Sequence, residues 1–277
     1  MKKVKDQNLI YADKEIFKSI AEKIDAEKFD NTEDAENTEI AAGIGTLGEK
    51  KLHKILKYYF EPDKNYHEIK VGGYVADICK DNLIIEIHTG SFGSIRDKIK
   101  YYLENIKDCK IIFVHPIAAV RHMCWIDKNT GEASKISNSP KFTGIYTFYE
   151  QFYYIKEFIA DENFNLKLLL MEITEYKFLD GWGKSKKNNA TKIDKVPISA
   201  VGEENFSCKN DYLKFIPPEL KDGRGFTAND LSGETEIKGR PVYSFIKVMK
   251  EAGLIYENGK RGRSVRYDIY DTDNTKI

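Results

Sequence analysis

Two short apolar runs, separated by only two polar residues, constrain this chain more than any other feature. The runs Tyr74–Lys80 and Leu83–His88 are typical of β-strands, and Asp81-Asn82 between them is typical of a tight hairpin turn. A two-residue turn fixes which residues face each other across the hairpin. This register sets Asp77 directly opposite Glu86.

The facing carboxylates predict a metal site. Side chains alternate along a strand, so Glu86 and His88 share a face, with Asp77 across from them at a Cβ separation of roughly 4.5–5.5 Å. Like charges at that distance are destabilising unless a cation lies between them, and Mg²⁺ (or Mn²⁺) is the simplest such cation. The alternative is an exposed hairpin with both carboxylates in solvent. Glu86 stands within an apolar strand, where an unpaired charge is costly, and this favours a functional site.

Composition limits the classes of protein. A chain of 277 residues predicts one large or two medium domains, and its 44 basic and 44 acidic residues give no net attraction to nucleic acid. The four cysteines form no CxxC pair, which argues against a zinc ribbon or a disulfide framework. No apolar run is long enough to span a membrane, and we expect a soluble, cytoplasmic protein.

The first two thirds of the chain predict an N-terminal extension and an α/β domain. Residues 1–40 form a helical, acidic extension, and residues 41–215 form the domain. A helix begins after Thr46, which with Glu49 makes a capping-box pattern. The predicted order is helix, three strands, helix and strand, over residues 47–60, 66–71, 74–80, 83–89, 94–107 and 110–115.

The segment that follows is less regular. We expect a short strand over 123–126, a helix over 145–160 and a long strand over 166–178. Residues 180–192 are polar, basic and glycine-bearing, which is typical of a surface loop. Its lysines are candidates for DNA contact, with ordinary solvation as the alternative: Lys184, Lys186 and Lys187.

Residues 216–277 predict a small separate domain. Two short helices, one starting near Phe226 and one over 240–252, precede a hairpin formed by 254–256 and 265–270. Helix, turn, helix and hairpin is the order of a winged helix-turn-helix, a DNA-binding module. A winged helix that binds protein is the alternative.

The αβββαβ order and the hairpin acids together resemble the PD-(D/E)XK nuclease superfamily, the restriction-endonuclease-like fold. Asp77 matches the first acid of its motif, Glu86-Ile87-His88 matches (D/E)-X-K, and Glu49 matches a glutamate often found on the first helix. The resemblance covers about residues 45–118. No proline precedes Asp77, and His88 replaces the motif lysine.

The resemblance implies a set of roles for these residues. Asp77, Glu86 and the Ile87 carbonyl would hold Mg²⁺ or Mn²⁺, and the catalytic residues would be Glu49, Asp77, Glu86 and His88. His88 would orient or deprotonate the attacking water. A histidine carries a fixed charge only below about pH 6.5 unless a neighbouring carboxylate raises its pKa.

The C-terminal domain would position the nuclease on duplex DNA. Base readout would come from the second helix and phosphate contact from the hairpin tip. The residues are Arg240, Tyr243, Ser244 and Lys247 on the helix, and Lys260, Arg261 and Arg263 at the tip.

The sequence therefore predicts a metal-dependent DNA endonuclease, and a homodimer is an assembly that duplex cleavage often uses. The second hypothesis is a catalytically inactive DNA-binding or regulatory protein that keeps the nuclease fold, with His88 marking the loss of activity. A third is an interaction scaffold without nucleic-acid binding.

Overall fold

The computed structural model describes residues 14–29, 44–127, 130, 132–137, 140–178 and 191–270 of the chain. Six α-helices are found in these ranges: α1 (Lys14–Phe29), α2 (Ile44–Phe60), α3 (Arg96–Asn105), α4 (Phe152–Ile155), α5 (Ala228–Thr235) and α6 (Arg240–Glu251). The first five strands are β1 (His67–Val71), β2 (Tyr74–Lys80), β3 (Leu83–Ile87), β4 (Lys110–Ile126) and β5 (Lys141–Phe142). The other five are β6 (Phe164–Phe178), β7 (Thr191–Phe206), β8 (Phe226–Thr227), β9 (Ile255–Arg261) and β10 (Ser264–Ile269).

A mixed sheet forms the centre of the protein and confirms the α/β class. Its strand order is β1-β2-β3-β4-β6-β7, with the short β5 paired to β4. The pairs β3–β4 and β4–β6 are parallel, and the remaining neighbours are antiparallel. The predicted order of helix, three strands, helix and strand is confirmed in α2, β1, β2, β3, α3 and β4.

The two faces of this sheet carry different helices because apolar side chains alternate along β3 and β4. Ile84 and Phe113 belong to one buried cluster, which includes Tyr102 of α3. Ile85 and Val114 belong to the other, which includes residues of α1 and α2. A strand with apolar residues on both faces needs a cover on each side, and the helices before and after the hairpin supply one each.

Strand β4 is longer than the sequence pattern indicates. The predicted end at residue 115 and the separate strand over 123–126 are wrong, because β4 runs from Lys110 through Pro116 to Ile126. Strand β3 pairs with β4 only as far as Val114, so Pro116 lies beyond the last β3–β4 pair. Proline has no backbone N–H to donate, but at this position no hydrogen bond to β3 is lost because β3 has already ended. The partner β6 accompanies β4 along nearly its whole length, with an irregularity after Ala118.

Three other predicted elements need correction. Helix α2 begins at Ile44, so Thr46 lies inside the helix and is not its N-cap. The expected helix over 145–160 is mostly a 3₁₀ helix, Ile145–Gln151, followed by the single turn of α4. Strand β7 was not predicted; it supplies the antiparallel partner of β6.

The C-terminal elements share a hydrophobic core with the central domain. Phe245 of α6 stacks on Tyr149 at a ring-centroid distance of 4.1 Å and meets Phe152 edge-on at 4.9 Å. Strand β9 extends to Arg261, so the hairpin turns at Gly262-Arg263 and the predicted loop over 258–263 is wrong. The domain boundary at residues 215–216 stays a prediction. Within the described ranges, no helix combines the length and apolar character needed to cross a membrane.

We expect Gly72→Ala to destabilise the sheet edge that carries the candidate site. Gly72 has φ +60, and a Cβ there would lie 2.2 Å from the Tyr101 hydroxyl oxygen. Strained backbone and the displaced ring should together lower the free energy of unfolding by about 1–3 kcal/mol, measured by urea titration. Gly73→Ala is the matched control, because a Cβ there meets nothing within 4 Å. Equal stability of the two variants would contradict this account.

Candidate active site

The β2–β3 hairpin has the predicted register. Cys79 pairs with Ile84 and Ile78 with Ile85. The regular pairing of the two strands ends at Ile78 and Ile85, so the predicted pair of Asp77 with Glu86 is not part of the ladder. The Ile87 N–H donates a hydrogen bond of 2.8 Å to Asp77 Oδ2. The Asp77 side chain therefore binds the backbone of the strand that carries Glu86.

Glu86 is completely buried and bound to a lysine from α3. Its side chain has no exposed surface, and Lys98 Nζ lies 2.6 Å from Glu86 Oε2. The Lys98 side chain is 18% exposed. A buried carboxylate without a partner would be strongly destabilising, and the ammonium group offsets part of that cost. Among the described residues, the cation beside Glu86 is therefore the ammonium group of Lys98.

The second oxygen of Glu86 lies near the Tyr102 hydroxyl but forms no hydrogen bond of normal geometry among the described residues. Glu86 Oε1 is buried without a hydrogen bond, and so is the hydroxyl of Tyr102, one helical turn after Lys98. Burial raises the pKa of Tyr102, and the charge of Glu86 and the contact between the two side chains add to the shift, so the hydroxyl stays protonated. Buried polar atoms without partners are rare and often mark a bound ion or water.

Burial also shifts the titration of Glu86. Loss of hydration raises the pKa of Glu86 to about 7; Lys98 opposes the shift, and the charge of Asp77 adds to it. Near neutral pH both protonation states of Glu86 are populated. A carboxylate whose pKa is raised this far in the interior is a marker of functional sites.

His88 is bound to the loop after β3. Its Nε2 lies 3.0 Å from the Ser91 carbonyl oxygen and 2.9 Å from Ser94 Oγ. His115 Nδ1 lies 2.8 Å from the His88 carbonyl oxygen, and burial lowers the pKa of His115 to about 4, so neutral His115 donates this bond. Among the described residues His88 forms no ion pair.

Lys98 is the site residue that sequence reasoning missed. Helix α3 buries Ile99 and Tyr102, and Lys98 stands beside Ile99 and four residues before Tyr102. Residues four apart share a helix face. One signal in the sequence could have identified Lys98. It is a lysine on the inward face of a predicted helix, next to a predicted acidic site.

Several predicted residues cannot be placed in the site. The backbone of Glu49 lies in α2, but its side chain is outside the described residues. The basic loop that holds Lys184, Lys186 and Lys187 also lies outside them. Ile87 is buried beside Glu86, and its N–H is the donor to Asp77.

The site provides two carboxylates for a metal ion. Within the described part of the chain, no three His, Cys, Asp or Glu side chains converge as a metal site. Asp77 and Glu86 are nevertheless compatible with Mg²⁺, which is commonly bound by one or two carboxylates together with water and substrate phosphate.

The predicted DNA-binding residues of α6 lie on one exposed stripe. Arg240, Tyr243 and Lys247 are exposed, and Tyr243 has 61% of its surface accessible although it is aromatic. Ser244 is half-buried on the same side. Lys247 also lies 3.8 Å from Glu251 one turn later.

The hairpin tip is only partly available for contact. Arg261 donates to Asp230 Oδ2 at 2.9 Å and to the Gly225 carbonyl oxygen at 2.8 Å. It thereby joins the hairpin to α5. Lys260 and Arg263 are exposed.

The family model of DUF8091, described as a domain of unknown function, matches residues 50–207. This is more than half of the chain, so the chain belongs to the DUF8091 family. It is also 22% identical over 225 residues to an uncharacterized protein of Treponema pallidum (strain Nichols), covering 81% of this chain and 86% of that protein. No solved structure matches the chain.

We expect Glu86 to make stability fall as pH rises from about 5 to 8. Its folded pKa of about 7 lies above the ordinary glutamate value of 4.5, so its contribution is fully present below pH 4.5 and is lost as pH rises through 7. Glu86→Gln cannot ionise, so the free energy of unfolding of the wild type should drop by roughly 3 kcal/mol relative to the variant. Urea titrations with chelator, across this pH range, measure the difference.

The control is Glu104→Gln. Glu104 is 61% exposed and pairs with Lys100 on the surface of α3. The free energy of unfolding of Glu104→Gln should vary with pH in parallel with that of the wild type. Parallel profiles for Glu86→Gln and the wild type would show that Glu86 titrates alike in the folded and unfolded chain.

Proposed function

We propose that this member of the DUF8091 family is a metal-dependent DNA endonuclease that hydrolyses phosphodiester bonds with a PD-(D/E)XK-like core. One observation carries the proposal: the carboxylate of Glu86 is fully buried, with one oxygen bound to Lys98 and Asp77 on the adjacent strand. An ordinary solvent-facing hairpin would expose these carboxylates.

The order and pairing of the central elements support this core. Helix α2 precedes the β1-β2-β3 meander, and α3 then leads to β4, which pairs parallel to β3. Asp77 stands on the second strand of the meander and Glu86 on the third, as the resemblance requires. The two helices lie on opposite faces of the sheet.

The site is suited to a divalent cation. Asp77 and Glu86 would hold Mg²⁺ or Mn²⁺, with the Ile87 carbonyl and the substrate phosphate as further oxygen ligands. Such an ion, when bound, supplies charge neutralisation at phosphorus and lowers the pKa of a nucleophilic water. Glu49 stands one helical turn before His53 in α2, and His53 lines a cavity together with Asp77, so Glu49 remains a candidate for the site.

Lys98 would supply the positive charge that the motif lysine provides in the resemblance. Its ammonium group contacts Glu86 directly at 2.6 Å, whereas the nitrogen contacts of His88 are to Ser91 and Ser94. We assign neutralisation of the buried Glu86 carboxylate to Lys98 and organisation of the loop after β3 to His88.

The C-terminal elements would serve as a winged helix. Strand β8, helices α5 and α6, and the β9–β10 hairpin follow one another, and the small sheet has the order β8-β10-β9. The outer face of α6 presents Arg240, Tyr243 and Lys247 to solvent. These side chains would contact base edges, and Lys260 and Arg263 at the wing would contact phosphates.

A catalytically inactive DNA-binding protein is the second candidate. Glu86 is already neutralised by Lys98 and has no exposed surface, so a metal would have to enter a closed site. His88 at the position of the motif lysine favours the same reading. This protein would bind DNA without cleaving it.

Cleavage of supercoiled plasmid with Mg²⁺ or Mn²⁺ tests the proposal. Asp77→Asn and Glu86→Gln remove the charges expected to hold the metal, and each should lower the cleavage rate at least about 100-fold, since even partners behind metal ligands are worth 10–100-fold. The control Glu104→Gln should cleave as the wild type does. Thermal unfolding of each variant establishes that it is folded.

Two further variants separate the roles of the cationic side chains. Lys98→Met should lower the rate more than His88→Ala, because only Lys98 contacts a site carboxylate. Metal-independent cleavage, or cleavage that survives Asp77→Asn and Glu86→Gln, would overturn the proposed site. A folded wild type that binds DNA without cutting it would support the second candidate.

DNA binding through α6 gives an independent prediction. Arg240→Ala and Lys247→Ala should each reduce the salt dependence of duplex binding by about one unit of slope, since each removes one cationic contact. Fluorescence anisotropy at several salt concentrations measures this slope. Lys250→Ala is the control, because Lys250 on the same helix is bound to Glu257. Unchanged slopes for the two test variants would contradict a recognition role for α6.

A further inference from the structure

A cationic cavity opens beside Asp77 on the α2 side of the sheet. It is lined by basic side chains from α2, from the turn after it and from β1: His53, Lys54, Lys57, Lys64 and His67. Asp77 and Glu68 are the carboxylates that line it. Since the whole chain has no net charge, an excess of cationic groups around one candidate catalytic acid is a local feature.

The cavity reaches the candidate active site at Asp77. Asp77 lines the cavity, and its Oδ2 accepts the bond from the backbone of Ile87, next to Glu86. From the other face, Lys98 and Tyr102 of α3 close over Glu86, which has no exposed surface. A phosphodiester that approaches Asp77 through this opening passes the cationic side chains.

The backbone of Glu68 is distorted where it meets the cavity. Neighbouring residues of a strand normally point to opposite faces, yet His67 and Glu68 both line the cavity. Glu68 has φ +55, a left-handed conformation that breaks the alternation. Its neighbours His67 and Ile69 pair with Ile78 and Ala76, so Glu68 stands across from Asp77. A non-glycine residue held in this conformation stores strain, which is found most often at functional sites.

Glu68 holds one of the cavity lysines. Lys57 Nζ lies 2.7 Å from Glu68 Oε1; the Lys57 side chain is 14% exposed, whereas that of Glu68 is 69% exposed. The cation is therefore fixed in the wall of the cavity, and the anion is at the solvent edge. A carboxylate oxygen and a phosphate oxygen make the same charge-assisted hydrogen bond to an ammonium group.

His67 is fixed in the opposite wall. Its Nε2 lies 2.7 Å from the Glu61 carbonyl oxygen, and its ring meets Tyr58 edge-on at 4.9 Å. The carbonyl only accepts hydrogen bonds, so Nε2 carries the proton of this bond. The lining of the cavity is thus held by contacts within the protein before any ligand binds.

We propose that this cavity binds the DNA backbone next to the scissile phosphate, with Lys57 and Lys64 as phosphate contacts and Glu68 as the carboxylate that a phosphate displaces from Lys57. The inference rests on the proposed function, since it names the substrate path to Asp77. It assigns DNA contact to a surface separate from α6 and from the β9–β10 hairpin. Glu68 then lowers affinity for DNA, and the lysines raise it.

Duplex binding by the full-length protein in EDTA tests the cavity without cleavage. Lys57→Ala and Lys64→Ala should each weaken binding about 3-fold near 0.1 M salt and reduce the salt slope by about one. Glu68→Gln should strengthen binding about 3-fold because a phosphate no longer competes with a carboxylate. A general loss of structure would weaken DNA binding in every variant. Weaker binding by the lysine variants together with stronger binding by Glu68→Gln therefore identifies the cavity as the contact surface.

The matched controls come from an exposed ion pair on α3. Lys100 lies 3.7 Å from Glu104, and α3 covers the opposite face of the sheet from α2. Lys100→Ala and Glu104→Gln change the total charge as the test variants do, and we expect binding within 1.5-fold of the wild type, roughly the scatter of surface substitutions. Circular dichroism establishes that each variant is folded.

The outcomes separate this inference from the proposed function. If the cavity variants bind as the controls do while Asp77 and Glu86 are required for cleavage, the cavity is not the substrate path and the nuclease proposal stands. If the cavity variants shift binding in the expected directions but no cleavage occurs with either metal, the DNA-binding cavity stands and the nuclease proposal fails. Absence of duplex binding by the wild type at low salt overturns both.

Discussion

The ion pair between Glu86 and Lys98 is the interaction on which the arrangement of the site depends. It joins the central strand β3 to the helix α3 at a point that solvent does not reach. Transfer of a carboxylate into such a place is costly, and a direct ammonium partner only partly offsets the cost, as the pKa of about 7 for Glu86 indicates. An apolar pair would satisfy packing with less electrostatic cost, and the proposed function gives the charged pair a chemical role.

The mixed sheet determines where this pair lies. Because β3 and β4 are parallel, the chain must cross over between them, and α3 is part of that crossover. The crossover carries Lys98 over the face of β3 on which Glu86 points. On the other face α2 covers Ile85 and leaves Asp77 beside a cationic cavity. One carboxylate is therefore enclosed, and its neighbour is reachable from solvent.

Local patterns predicted the elements around the site well. The Asp81-Asn82 turn and the apolar runs on either side specified the hairpin and its register, which the pairing of Ile78 with Ile85 confirms. The predicted end of β4 was wrong because a proline normally interrupts a central strand. Pro116 is accepted within β4 because β3 has already ended at that point. Helix content over 145–160 was overestimated because the apolar spacing of Phe148, Phe152 and Ile155 fits the α-helical period, whereas the segment folds mostly as a 3₁₀ helix.

The sequence by itself determined the α/β class, the hairpin and the register from Lys80–Leu83 to Ile78–Ile85, since a strand period of two and a two-residue turn leave no other register. Only the tertiary structure decided which cation meets Glu86. Lys98 is twelve residues from Glu86 in the chain, and the two meet because α3 packs back across the sheet. The same holds for Glu68, whose left-handed backbone and contact with Lys57 arise only when β1 pairs with β2 beneath α2. Contacts between separate elements depend on how the elements pack, and sequence periodicity describes each element alone.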